Sequence, residues 1–168
     1  MNFARQLLTR GPVEIEAELD AEAPIERVFD LLDFAAPGNA LRERGFLFLE
    51  EPVASVGRFK AVDPGNPDMI YVFDTDIFEW PSRIRFQTRF ESHEPVGVVE
   101  QTISDYHLTS TGPETCNLHL VETCWLQPGL SGKRKRMEKA MLTLAVQRHI
   151  TRLCIHAVLG ADEADSIF

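Results

Sequence analysis

Glu122 is the residue whose type and setting most directly suggest chemistry. It lies in the run TCNLHLVETCWL, where Leu118, Leu120, Glu122 and Cys124 fall on one side of an alternating pattern. A carboxyl group on the apolar side of a strand loses hydration. Its pKa rises, and it becomes suited to proton transfer. The preceding run VVEQTISDYHLTS puts Glu100, Thr102, Ser104 and Tyr106 on the matching side. Glu100 would be a diagonal neighbour of Glu122, pushing the same way by like-charge repulsion. Two other readings stay open. Both carboxylates could be solvated near the sheet edge, or one could pair with Arg148 or Arg152. His149 flanks an apolar helical stripe further on, where it could reach a ligand carbonyl or exchange protons with Glu122 or Tyr106. A histidine on an apolar flank is also an ordinary structural residue. Glu122, Tyr106 and His149 are the candidate catalytic set.

The other titratable groups read as structural. Asp74 and Asp76 look like an acidic pair, but alternation places them on the solvent side as cross-strand partners. His107 and His119 fall on the solvent face. His149 and His156 share a helix side without an evident third ligand, so no metal site is expected. Cys116, Cys124 and Cys154 form no CxxC and read as small hydrophobes. No nucleotide loop, nucleophile elbow or metal motif occurs, and no cofactor is expected. The run Lys133–Arg136 opens a helix, where cations oppose the dipole; a solvated patch, a bound anion or a membrane surface would each offset this.

These groups need elements to hold them. The 168 residues suit a single domain over 1–168, with a core of about 12–160, an N-terminal arm over 1–11 and an acidic tail over 161–168 that frays. The net charge of −9 argues against nucleic-acid binding. No apolar run approaches a membrane span, and the N-terminus does not read as a secretory signal, so a cytoplasmic protein is expected.

VEIEAEL alternates as a strand. Pro24 opens a short helix with Ile25, Val28, Phe29 and Leu32 on one stripe. FLFLEE and GRFKAV are short strands, and DPGNPD reads as a loop. In MIYVFDTDIFEW–PS–RIRFQTRFE, a two-residue turn would pair Trp80 with Arg83. Ile77 would then face Phe86, Thr75 face Thr88, and Phe73 face Phe90, with Tyr71 and Ile84 on the same apolar side. In the last hairpin, Leu108 opposite Cys116 would set Tyr106 against Leu118 and Thr102 against Glu122. A long helix then runs from about Ser131 to Leu159. One stripe (Leu142, Val146, Ile150, Leu153, Ala157) faces the sheet. The other (Met137, Met141, Leu144, Ile155, Leu159) implies cover on a second side.

The order is strand, short helices, antiparallel hairpins, long helix. AEAPIERVFDLLD, VGRFKAV, FEWPSRIRFQ and DYHLTSTGPETCNLHL in that order resemble the START-like, or SRPBCC, superfamily of polyketide cyclases, aromatases and lipid-transfer domains. The family pattern often carries Trp where Phe29 stands. The resemblance implies an α+β helix-grip fold. In it a curved seven-stranded antiparallel sheet wraps around the C-terminal helix, with a ligand cavity between them. On aromatic patterning alone a filled core is the simpler reading.

Binding, with transport in view, of a hydrophobic small molecule such as a lipid or polyketide-like aromatic is the first expectation. The lining residues would be Tyr71, Phe73, Thr75, Ile77, Phe86, Thr88, Phe90, Glu100, Thr102, Ser104, Leu118, Leu120, Leu142 and Val146. The alternatives are a cyclase or aromatase using the cavity acid and base groups, and a non-enzymatic module that dimerises through the outer helical stripe.

Overall fold

Strand β1 (Val13–Ala21) is the edge on which the fold is built. Of its inward residues Ile15, Ala17 and Ala21 are buried and Leu19 is half-buried, while Glu14, Glu16 and Glu18 stay in solvent. This structure, a computed structural model, describes residues 11–50, 54–91 and 97–167. Most of the expected N-terminal arm, Glu51 of FLFLEE and the last residue of the tail lie outside them.

Helices α1 (Ile25–Leu32) and α2 (Ala40–Glu43) follow at once. Strands β2 (Leu47–Phe48), β3 (Gly57–Asp63), β4 (Asn66–Glu79), β5 (Arg83–Glu91), β6 (Val99–Gly112) and β7 (Thr115–Leu126) complete an antiparallel sheet of order β1-β7-β6-β5-β4-β3-β2. The chain closes with α3 (Gly132–Leu159), capped by Ser131, and α4 (Ala161–Ile167). The α+β helix-grip arrangement is the one expected.

Several local expectations are corrected. DPGNPD is not a plain loop: Pro64-Gly65 makes a tight turn in which Asp63 Oδ1 accepts from Gly65 N at 2.8 Å, and β4 starts at Asn66. Trp80 does not pair with Arg83. Trp80, Pro81 and Ser82 form the connection, with a cis Trp80–Pro81 bond, and Glu79 pairs with Arg83. A bulge at Asp76 then shifts the register, so Phe73 faces Thr88 and Thr75 faces Phe86. The bulge turns Ile77 outward opposite Arg85 and Phe78 inward opposite Ile84. In the last hairpin Thr115 pairs with Gly112, and Tyr106 faces Leu120 while Ser104 faces Glu122. The pairings from Thr102 to Leu108 slip by two residues, which leaves Thr102, Ser104, Tyr106, Leu118, Leu120 and Glu122 on their expected face.

The outer face of the sheet is laced with ion pairs. Asp74 accepts from Arg58 (2.7 Å) and Arg89 (2.5 Å), Asp76 from Arg85 (2.5 Å), and Asp105 from Arg83 (2.8 Å). Such exposed pairs contribute at most about 1 kcal/mol each. His107 and His119 sit side by side on this face.

Inside, α3 lies on β1 and buries Val146, Ile150, Leu153 and Cys154. The segment between α1 and α2 plugs one end. Phe34 packs at 4.5 Å on Phe73, 4.9 Å on Phe86 and 5.2 Å on Phe59, centroid to centroid. Asn39, fully buried, donates to Leu31 O (3.1 Å) and accepts from Leu41 N (3.1 Å), fixing the turn. Glu43 ties the plug to both helices, accepting from Arg27 of α1 (3.3 Å) and meeting His156 of α3 (2.5 Å).

Two further corrections concern the C-terminal part. The acidic tail does not fray across 161–167. Gly160, at φ 94°, reverses the chain, and α4 folds back to bury Ala164. Within the chain the second stripe of α3 is left largely uncovered, with Met137, Met141, Leu144 and Leu159 exposed and Ile155 half-buried.

Phe29, fully buried, meets Phe78 edge-on at 5.2 Å. Phe29→Ala is expected to lower unfolding stability by roughly 3–5 kcal/mol. Urea denaturation measures it, and a loss below about 1 kcal/mol would show that α1 packs less tightly than described.

Candidate functional site

Antiparallel pairing sets the inward side chains in rows across the sheet. Tyr71 and Phe90 make the outermost row. Phe73, Thr88, Thr102 and Cys124 make the next, then Phe86, Ser104 and Glu122, then Tyr106 and Leu120. Because α3 rests on β1, it stands off β4–β6, and the gap is not filled. It holds a cavity of about 470 Å³ lined by these rows, by Leu142, Ala145, Val146, His149 and Leu153 of α3, and by the plug.

The structure brings most of the expected residues to this space. Tyr71, Phe73, Phe86, Thr88, Phe90, Thr102, Ser104, Tyr106, Leu120, Glu122, Leu142, Val146 and His149 all line it. Four do not. Ile77 is turned to the outer face by the bulge. Glu100 sits in the irregular pairing between Val99 and Gln101 and is exposed. Thr75 is buried beside Phe86 without reaching the cavity, and Leu118 lies one row too deep, opposite Leu108 in the closed core.

Sequence reading missed the plug residues Leu31, Leu32, Phe34, Asn39 and Leu41, together with Arg44, Phe46 and Asp63. Phe34, beyond the helical stripe, has no periodic signal. The Asn39 cap is legible in PGNALRE, since Asn is a favoured N-cap.

Glu122 is 9% exposed, and burial pushes its pKa up to about 7. The hydroxyls of Ser104 and Thr102 hydrogen-bond the carboxylate and restrain the rise. The group is therefore held by hydroxyls, not by Arg148 or Arg152; Arg152 pairs with Asp165 of α4 instead. Tyr106 Oη lies 2.7 Å from His149 Nε2. Burial, with the nearby Glu122 charge, holds the phenol well above its usual range, so it stays protonated here. His149 keeps one side of its ring exposed on the flank of α3, while its Nε2 is taken up by Tyr106 against the sheet. Desolvation, aided by the charges of Arg44 and Arg152, pushes it down to about 4. The neutral imidazole and the phenol share one hydrogen bond, and the imidazole tautomer sets which of them donates. Burial also raises the Cys124 thiol to about 12, which excludes it as a thiolate nucleophile at neutral pH.

Chemically, the site is an apolar pocket with a carboxyl group that titrates near neutrality and a coupled phenol–imidazole pair. Among the described residues no group of His, Cys, Asp or Glu could hold a metal ion.

No protein-family model matches the chain, and no curated protein matches it significantly. Solved structures do. DynU16, from the dynemicin biosynthetic locus, is similar at 19% identity over 88% of this chain, with TM-score 0.61. This chain spans 48% of DynU16, about half its length. A START superfamily protein from Mycobacterium smegmatis is similar at 10% identity (94% of this chain, 100% of that one, TM-score 0.58). The Aha1 dimer from Colwellia psychrerythraea is similar at 12% identity (88% and 98%, TM-score 0.58). The fold is START-like.

The Glu122 pKa links the site to stability. The folded chain holds this proton to about pH 7, whereas an ordinary glutamic acid releases it at 4.5. The stabilisation is complete below 4.5 and is lost as pH rises through 7, a cost of roughly 3 kcal/mol. His149 acts oppositely: its lowered pKa costs stability as pH falls from 6.5 through 4. Glu122→Gln should therefore match the parent at pH 4 and exceed it by roughly 2–3 kcal/mol at pH 8 in urea unfolding. Parallel curves across that range would contradict the buried carboxyl.

Proposed function

We propose that the chain binds, and in that sense can carry, a hydrophobic small molecule such as a lipid or a polyketide-like aromatic between the sheet and α3. The observation that carries this reading is the unfilled 470 Å³ beside a well-packed core. That volume lies within the ~300–1,000 Å³ of small-molecule sites, and an aromatic-aliphatic wall with a few converging polar groups is what such sites present. Burial of the guest would supply affinity at about 25 cal/mol per Å², before the cost of ordering it. Thr88, Thr102 and Ser104 would fix its orientation. The START-like fold supports the reading as the scaffold for the pocket.

Ala145 and His149 line the cavity and carry exposed surface, so the route for the guest runs along this flank of α3. Native mass spectrometry of the purified protein is expected to show a bound apolar molecule, and N-phenyl-1-naphthylamine should fluoresce on entering the emptied site. Ala145→Phe, at an exposed helical position, should weaken uptake of the probe at least about tenfold with little change in stability. Unchanged uptake would move the route elsewhere. Absence of both guest and uptake would end the binding reading.

A second reading is favoured by one specific observation, a carboxyl titrating near 7 in the same pocket as the Tyr106–His149 pair. In a cyclase or aromatase, Glu122 would take a proton from a methylene between two carbonyls. The resulting enolate would attack a second carbonyl to close a carbon–carbon bond, and Tyr106 would protonate the new alkoxide. Loss of water would follow. Glu122→Gln would abolish turnover of a poly-β-ketone thioester while leaving probe affinity nearly unchanged; activity in that variant would remove Glu122 from the chemistry. As for macromolecular partners, the exposed Met137–Met141–Leu144 stripe is where a second copy of the chain would dock.

A further inference from the structure

Arg44 is the cationic residue among the described residues of the lining, a fixed charge that an apolar guest leaves unused. It follows α2 and reaches the outer end of the cavity, with its guanidinium 5.6 Å from the Phe46 ring centroid. Its Nε is 3.6 Å from Asp165 Oδ1, beyond hydrogen-bond reach, and among the described residues its side chain makes no hydrogen bond. The same Asp165 carboxylate is ion-paired with Arg152. Arg44 and Arg148 both bear on Arg152, and Arg44 and Arg152 both bear on His149. A chain of net charge −9 thus sets the Arg44 guanidinium in its cavity lining, with Arg152 across the same Asp165 carboxylate. Asp63, also in the lining, already accepts from Gly65 N at 2.8 Å. Asp165 shows what the place accepts: one carboxylate between two arginines.

We propose that the natural guest is an amphipathic carboxylic acid whose carboxylate binds Arg44, in competition with Asp165, while its apolar body runs inward over Phe73 and Phe86 toward Leu120. This rests on the binding reading above and adds the chemical class of the ligand. A guanidinium with unused donors favours a carboxylate over an uncharged head by charge-assisted hydrogen bonds. The site then discriminates by head group at its mouth and by apolar fit within.

The test compares dodecanoate, dodecan-1-ol and dodecyltrimethylammonium, each below its micelle concentration, by displacement of N-phenyl-1-naphthylamine. Dodecanoate is expected to bind about tenfold tighter than the alcohol, with the cation weakest. Arg44→Gln should erase the difference between acid and alcohol. Asp165→Asn, which removes the competing carboxylate, should tighten dodecanoate several-fold. Equal affinity of the parent for acid and alcohol would overturn the acid head and leave the cavity reading standing. Failure to bind any of the three, in a protein that carries no guest, would overturn both.

Discussion

The contact of α3 with β1 is the constraint from which the cavity follows. The inward face of β1 carries the small Ala17 and Ala21 on either side of Leu19, and α3 packs closely on that edge of the sheet. Seated on that edge, the helix reaches β6 through the His149–Tyr106 hydrogen bond and stands off β4 and β5. The space over β4–β6 must then be filled by side chains, closed by another element, or left open. This chain does all three in turn. The rows around Leu108 and Leu118 are packed solid, the α1–α2 segment closes the next part with Phe34, and the outer rows stay open. The Arg27–Glu43–His156 linkage holds the plug to the helix, so the closed part and the open part keep their places.

The polar chemistry of the pocket is a consequence of the same geometry. Glu122 occupies a strand position that always faces the helix, yet no cation of α3 reaches it, because the helix stands off at that row. Hydroxyls from Ser104 and Thr102 are its partners, and they do not repay the lost hydration in full. His149 suffers the converse, an imidazole kept neutral by desolvation and by two nearby arginines. A carboxyl that keeps its proton up to about pH 7 and a histidine held neutral leave the interior nearly uncharged below neutrality. An apolar guest can tolerate that, whereas a pair of full charges would bind water instead. The charge is confined to the Arg44 end.

Alternation carried most of the site in the sequence. Slips of two residues in the β4–β5 and β6–β7 pairings left Thr102, Ser104, Tyr106, Leu120 and Glu122 on the face where alternation puts them, since the side-chain period is two. A bulge breaks that protection, which is why Ile77 and Phe78 exchange faces and Glu100 leaves the site. Bulges and three-residue turns arise from backbone geometry that side-chain patterning does not encode. The plug was the least legible part. Phe34 owes its place to the Asn39 turn and to rings contributed by β3, β4 and β5, contacts far apart in sequence. Arg44 was equally hidden, since an arginine after a short helix reads as one more surface charge until the fold puts Tyr71 and His149 beside it.

The central claim is that the space between sheet and α3 admits a guest. Methyl NMR titration of labelled protein with N-phenyl-1-naphthylamine tests it most directly. Shifts are expected at the methyl groups of Thr102, Leu120, Leu142 and Val146, with Val121, Leu144 and Val158 unmoved. Shifts confined to the outer-face methyls, or none at saturating probe, would contradict it.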